Sequence, residues 1–297
     1  MLLNPGASTN LERGIGMEVI KTKNELRKLL ERERQKGKSL GFVPTMGFLH
    51  KGHLSLMERA RRENDVVAAS IFVNPTQFGP GEDYGTYPRD LPRDIRLARS
   101  AGVDYLFVPE ADEMYPDNSI TFVDMEGLTD VLCGASRPGH FRGVMTVVTK
   151  LFNIVKPDRA YFGQKDAQQV LIIKKMVKDL DMDIDIVEMP IVREEDGLAM
   201  SSRNSYLTAS ERKSALVISR SLSDARDSIK EGENRAGFIK EAIRREISTE
   251  QNASIDYIEI VDAETLKPIE RIKGGVLIAV AVRIGKTRLI DNIKLEV

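Results

Sequence analysis

The sequence predicts an α/β protein: a doubly wound parallel sheet followed by a second, smaller α+β domain. Two patterns and one bound carry this prediction. From residue 19 to about 190, short apolar runs alternate with segments of helical period, the pattern of a parallel sheet covered on both faces. After about residue 190 two helical segments precede strand-like runs and a hairpin signal. The bound is size: 297 residues, 41% hydrophobic and 30% charged, suffice for one large domain or two ordinary ones and argue against disorder.

The elements follow in order. Residues 1–16, MLLNPGASTNLERGIG, lack the apolar centre of a signal peptide and read as a disordered extension before Met17. Residues 23–36 read as a helix with Gly37 as its stop, and 39–45 as a strand. The HKGH turn (50–53) leads to a helix over 54–64. The run 65–73 is a second buried strand, and a helix over 92–100 carries Pro92 in its first turn, where a missing N–H does no harm. Residues 104–109 form a third strand. A helix over 143–156 stops before Pro157, and a fourth strand spans 159–163. The next helix, 166–180, has Asp166 placed to cap it, and a fifth strand covers 184–192. The first domain is therefore 17–189. In the second, 190–297, helices at about 209–231 and 235–248 precede strands at 255–262 and 276–283, and IGKT (284–287) turns the chain into a final strand.

Charge and cysteine content exclude several classes. Lys plus Arg is 44 and Asp plus Glu is 45, so no global field draws the chain to nucleic acid or anionic lipid. Cys133 is the single cysteine and cannot form an internal disulfide, which fits a reducing cytoplasm. The apolar runs 66–73 and 276–282 are too short to span a bilayer.

Candidate chemistry begins at HKGH, which holds two of three histidines, His50 and His53. Coincidence or satisfied core histidines are the plain alternatives. The functional one is a phosphate site: a helix N-terminus at a strand end presents free N–H groups, Gly47 and Gly52 admit a close ligand, and imidazoles donate to phosphate oxygens. No G-x-G-x-x-G or P-loop pattern follows the strand. Asn74 and Gln77 stand at the next strand end, where Asn74 reads best as a turn former and Gln77 does not. Lys165 is either a surface lysine or a strand-end cation, and Gln168 and Gln169 lie in the first helical turn beyond it, within reach of the strand-end crevice. The loop 196–208 is either a linker, with Ser201 capping a turn, or a mobile phosphate clamp built from Ser201, Ser202 and Arg203. His140, with Arg137 and Arg142, belongs either to a solvated basic loop or to an electropositive wall of the same cleft.

Six segments in order, PTMGFLHKGHLSL, SIFVNPTQF, FGPGEDYGTYPRD, RPGHFRGV, YFGQKDAQQ and VREEDGLAMSSRN, resemble the pantoate–β-alanine ligase family. That family sits within the nucleotidylyltransferases that carry an H-x-G-H signature. The resemblance runs from about Met17 to the C-terminus. It implies a Rossmann-like first domain, a smaller second domain that closes on the nucleotide, Mg²⁺, and a homodimer. It implies that ATP and pantoate give pantoyl adenylate and pyrophosphate, and that β-alanine then displaces AMP to give pantothenate.

By motif, Met46, Gly47, Phe48, Leu49, His50, Lys51, Gly52 and His53 would line ATP, with His53 as proton donor. Gly163, Gln164, Lys165 and Asp166 would continue that site. Val192, Met200, Ser201, Ser202 and Arg203 would complete it. Gln77 and Gln169 would hold pantoate, with Gln77 also bordering β-alanine. Phe48 and Lys51 stand at variable positions of the family, and Gln164 where glutamate is often seen. His50, His53, Lys165 and Arg203 suit charge stabilisation on leaving pyrophosphate. Mg²⁺ would bind the phosphates with few protein ligands, Asp94 being one candidate. Two rivals remain open: an H-x-G-H nucleotidylyltransferase for a different small acid or phosphate acceptor, and a nucleotide-binding regulatory protein without chemistry.

Overall fold

The structure is a computed structural model that describes residues 16–117 and 119–297; the expected extension, apart from Gly16, lies outside the described residues. Chain order in the first part runs β1 (Glu18–Ile20), α1 (Lys23–Gln35), β2 (Leu40–Thr45), α2 (Lys51–Glu63), β3 (Val66–Ile71), α3 (Leu91–Ser100) and β4 (Tyr105–Phe107). Two short helices follow, α4 (Ala111–Met114) and α5 (Cys133–Ser136), then α6 (His140–Val155), β5 (Arg159–Gly163), α7 (Ala167–Asp179) and β6 (Asp185–Met189). The six strands form one parallel sheet in the order β1-β4-β3-β2-β5-β6. After β2 the chain builds outward through β3 and β4, then returns to place β5 on the other side of β2. The β2/β5 boundary is thus the topological switch point, where a crevice opens at the carboxyl ends of the strands.

Both faces of the sheet are covered, as the alternating pattern requires. Leu26 and Leu30 of α1, Val148 of α6 and Ile173 of α7 share one core with Phe42 and Ala160. Met57 of α2 and Ala98 of α3 share the other with Val43, Val67 and Tyr161. Helix α6 buries residues on nearly every face, because it lies between the sheet and the chain segments outside it.

The second part contains α8 (Ala209–Ser214), α9 (Leu216–Lys230), α10 (Ala236–Ile247), β7 (Ala253–Asp262), β8 (Gly275–Ile284) and β9 (Thr287–Glu296). The strands form an antiparallel sheet in the order β7-β8-β9, with β8 buried from Val276 to Val282. Gly285 and Lys286 make the two-residue hairpin, with Gly285 at φ +56° as such a turn demands. A core that includes Leu222, Ile239, Ile278 and Val280 joins the helices to this sheet. Leu132 and Ala167 from the first part meet Leu277 and Ala279 from the second in a separate apolar contact. No helix among the described residues is long and apolar enough to cross a membrane.

Several boundaries differ from the sequence reading. Strand β1 was not anticipated; three residues are too few to show a period, and pairing with β4 creates it. Helix α2 begins at Lys51, so HKGH is its cap and first turn rather than a turn before it. Helix α6 begins at His140, because Gly139 at φ +80° supplies the entry turn. The helix expected over 209–231 is two, separated at buried Ala215. Asp166 occupies the N-cap position of α7, but its carboxylate makes no capping hydrogen bond.

Candidate active site

The carboxyl ends of β2, β3 and β5 enclose a cavity of about 220 Å³ at the switch point. A larger cleft of about 980 Å³ lies beside it, between the two sheets, and shares Lys165, Asp166, Gln169, Ser201 and Arg203 with its lining. Among the residues named from sequence, Met46, His50, Gly52, His53, Gln77, Gly163, Val192, Met200 and Ser202 also line the smaller cavity. Gly47, Phe48, Leu49, Lys51 and Gln164 line neither space.

Gly47, Phe48 and Leu49 shape the wall instead. Gly47 adopts φ +83°, and a Cβ there would lie 2.8 Å from Ile71 Cγ2. The N–H groups of Phe48 and Leu49 donate to the two oxygens of Asp94, at 2.7 and 2.8 Å. Asp94 is 1% exposed, and burial outweighs these bonds and raises its pKa. This carboxylate braces the loop. Leu49 is buried in the core, and Lys51 points to solvent at the start of α2.

The two histidines cap α2 reciprocally. His50 Nδ1 accepts from the Gly52 N–H at 3.1 Å, and His53 Nδ1 accepts from the His50 N–H at 3.3 Å. A backbone N–H can only donate, so both rings carry their proton on Nε2. The ring centroids are 4.0 Å apart. Burial, the neighbouring His53 and Lys165 push His50 down to about 2, and burial with Lys165 pushes His53 down to about 4. Both are neutral near pH 7 and offer Nε2–H as a donor.

At the end of β3, Asn74 is 1% exposed and does more than stabilise a turn. Its amide donates to Gln77 Oε1 and to the Gly143 carbonyl, each at 3.1 Å. Gln77 then points Nε2 toward Met46 Sδ at 3.2 Å.

At the end of β5, Lys165 Nζ lies 3.9 Å from Asp166 Oδ2, with 20% of its side chain exposed in the cleft rather than on an open surface. Gln169 lines both the cavity and the cleft, whereas Gln168 borders the larger cleft alone and spends its amide on backbone groups. Gln168 accepts from the Cys133 N–H at 2.9 Å and donates to the carbonyls of Leu128 and Val131, at 2.9 and 2.7 Å. It holds the segment before α5, and of the two spaces it borders the larger cleft and not the strand-end cavity. Gln164 bonds Asn292 of β9 at 3.2 Å, and Asn292 donates to the carbonyls of Gln164 and Lys165.

The loop that carries Arg203 is anchored. Ser202 Oγ donates to the Phe48 carbonyl at 3.2 Å, and Ser201 caps the turn by accepting from the Arg203 N–H. Arg203 makes a two-point ion pair with Asp83, both bonds 2.9 Å. Tyr206 donates to the Thr86 carbonyl at 3.0 Å. Of the two readings of this loop, the Ser201 turn cap is present, and the Arg203 guanidinium already pairs with a carboxylate from the segment after β3.

Of the basic group around His140, two members reach the larger cleft. His140 Nδ1 donates to the Gln77 carbonyl at 2.9 Å, and its Nε2 accepts from Arg137 at 3.0 Å. Burial and Arg137 push His140 down to about 4. Arg137 is paired with Glu82 at 2.7 Å, and Arg142 sits outside, over the Phe122 ring at 4.0 Å.

A switch-point cavity with neutral donors, amides and strand-end cations fits several enzymes; similarity along the whole chain decides among them. The family model "Pantoate-beta-alanine ligase" matches residues 18–294. Pantothenate synthetase of Acetivibrio thermocellus is 60% identical over 281 residues, 95% of this chain and 100% of that protein. The chain belongs to the pantoate–β-alanine ligase family. The crystal structure of pantothenate synthetase from Thermus thermophilus is similar at a TM-score of 0.89 and 50% identity, covering 93% of this chain and 99% of that one. A pantoate–β-alanine ligase from Francisella tularensis, solved in complex with β-γ ATP and β-alanine, is 37% identical with a TM-score of 0.76, covering 93% and 97%.

This chain is accordingly a pantothenate-forming ligase, which condenses pantoate with β-alanine using ATP. Sequence reasoning missed Asp83, Glu82 and Asn292. Acidic and amide side chains in loops carry no periodic signal, and each finds its partner across 55 to 128 residues.

Proposed function

We propose that both half-reactions occur in this one cleft. In the first, the pantoate carboxylate attacks the α-phosphorus of ATP; the bond to the β-phosphate oxygen breaks, and pantoyl adenylate and pyrophosphate form. In the second, the amine of β-alanine attacks the acyl carbon, loses a proton, and AMP leaves. No covalent bond to the protein is required, so catalysis is positioning plus stabilisation of charge on leaving pyrophosphate.

The reciprocal histidine caps carry the reading. They turn two neutral imidazoles so that Nε2–H is free to donate at a helix N-terminus, beside Lys165. A neutral donor follows charge that builds on the leaving group without first tightening on the ground state. Lys165 and Arg203 supply fixed positive charge, Arg203 by way of the guanidinium edge not engaged by Asp83 or by exchanging Asp83 for phosphate. Gln77 and Gln169 hold the pantoate carboxylate and hydroxyls; an amide orients the carboxylate without the charge pairing that would weaken it as a nucleophile. Phe72, Val144 and Leu151 give the cavity an apolar wall suited to the two methyl groups of pantoate.

Mg²⁺ enters as part of the MgATP substrate. The phosphate oxygens would hold the ion with few protein ligands. We place the domain boundary at 189/190, where β6 ends and the chain leaves the parallel sheet, and assign 190–297 as a lid whose Arg203 loop and Asn292 touch the nucleotide side of the cleft. A homodimer is the assembly the resemblance implies, and the exposed apolar Ile120 and Phe122 support it; sedimentation at working concentration tests it. Unpaired Cys133 suits a cytoplasmic enzyme.

Product analysis tests the whole reading. With MgATP, pantoate and β-alanine, AMP, pyrophosphate and pantothenate should appear together; without β-alanine, pantoate alone should drive ATP–pyrophosphate exchange. Exchange driven by another small acid and not by pantoate would overturn the assignment of the acid.

A further inference from the structure

The two hydroxyls of Tyr115 and Thr76 belong to no step described above, yet both aim at the same buried atom. Tyr115 follows α4, and its OH donates to Asn74 Oδ1 at 2.9 Å. Thr76 Oγ1 donates to the same oxygen at 3.0 Å, and the two hydroxyls are 3.3 Å apart. On its other side Asn74 Nδ2 meets the Gly143 carbonyl, which can only accept. That carbonyl fixes which end of the Asn74 amide is nitrogen. The second hydrogen of Nδ2 then goes to Gln77 Oε1, and this in turn fixes Gln77 with its oxygen inward and its NH₂ toward the cavity. There, among the described residues, Nε2 meets only the Met46 thioether, a weak acceptor that a carboxylate oxygen would displace.

We infer that Tyr115 is a positioning residue for the acid substrate, acting with Thr76 through Asn74 to hold Gln77 with its donor face toward the cavity. The inference rests on the assignment of Gln77 to pantoate. A glutamine amide that is free to rotate presents oxygen as readily as nitrogen, and oxygen repels a carboxylate. The relay removes that half of the orientations before the substrate arrives. The packing supports a fixed geometry. A Cβ on Gly143 would lie 2.3 Å from the Thr76 carbonyl and 2.7 Å from Gln77 Cα, so the glycine lets the 75–77 turn sit directly on α6. Burial raises the Tyr115 hydroxyl above the ordinary phenol range, so it stays a donor at every working pH.

The test is a double-mutant cycle read as KM for pantoate, KM for ATP and kcat. Tyr115→Phe removes one hydroxyl and leaves the ring, which packs near Phe72. It should raise KM for pantoate by about 3- to 10-fold, the scale of one hydrogen bond, and leave KM for ATP within about 2-fold. Thr76→Val should act in the same direction. In a Gln77→Ala background, both substitutions should leave KM for pantoate unchanged, because the group they orient is gone. An equal effect with and without Gln77, or a loss confined to kcat or to ATP, would make Tyr115 a merely structural residue and overturn the inference. The assignment of Gln77 is judged separately: Gln77→Ala alone with an unaltered KM for pantoate would remove Gln77 from the acid site, and the relay with it.

Discussion

Replacing His53 by alanine removes two things at once, and the structure separates them. The first is the cap: Nδ1 accepts from the His50 N–H at 3.3 Å, at the N-terminus of α2. Losing a cap costs about 1 kcal/mol, which for a chain of this size lowers Tm by about 2–4 °C and leaves the fold intact. The second is the Nε2–H donor in the cavity. One lost transition-state donor slows a step by a factor of about 10²–10³. The two half-reactions place different demands on it, since pyrophosphate leaves in the first and plays no part in the second. His53→Ala should therefore slow pyrophosphate release in a single turnover with MgATP and pantoate by about 10²–10³, and slow pantothenate formation from supplied pantoyl adenylate and β-alanine by less than about 10-fold. His53→Gln, which places a capping-box residue at the same position, should recover most of the lost Tm. Equal losses in both half-reactions would show that His53 shapes the whole pocket, and the donor role would fall. Unchanged adenylation would reduce the histidine pair to a helix cap.

Other outcomes can be checked in parallel. Gln169→Ala should weaken pantoate usage by about 1–3 kcal/mol with little loss of stability, whereas Gln168→Ala, which breaks one buried and two partly buried hydrogen bonds, should destabilise the fold by about 1–3 kcal/mol. Urea unfolding and pantoate kinetics on the two variants decide, and exchanged phenotypes would refute the orientation of this pair. The three histidines give three separable Cε1–H resonances, and none should titrate between pH 8 and 5, since burial holds His50 at about 2 and His53 and His140 at about 4. With folded values below the unfolded value near 6.5, the unfolded chain binds more protons as pH falls from 6.5 toward 4. Tm should therefore decline through that window, and a midpoint near 6.5 in the folded spectrum would contradict the burial argument. Hydrogen exchange over 79–87 and 200–206 should slow together when MgATP is added, because Arg203–Asp83 and Tyr206–Thr86 tie the two segments. Protection of one without the other would show that the ion pair does not couple them.

The alternation of helix and strand was legible because burying one face of an element imposes a local period, visible within ten or fifteen residues. The stretch around HKGH was legible for a related reason: strand, glycine and helix start are adjacent in the chain. Strand β1 was not, because three residues define no period and its structure exists only in the pairing with β4. Neither was the difference between Gln168 and Gln169. Both lie in one helical turn, and only the segment 128–133, folded against that turn, decides which of them is consumed as a brace.

The sequence by itself determined the doubly wound class, the strand ends where chemistry collects, and the family. Each of these is carried by contiguous residues. Tertiary structure alone decided which polar groups meet: Arg203 with Asp83, Asn292 with Gln164, Tyr115 with Asn74. These partners are 120, 128 and 41 residues apart. Hydrogen bonds and ion pairs act over about 3 Å and leave no period in the chain, so their partners are set by the order in which the strands assemble, with β5 crossing back beside β2.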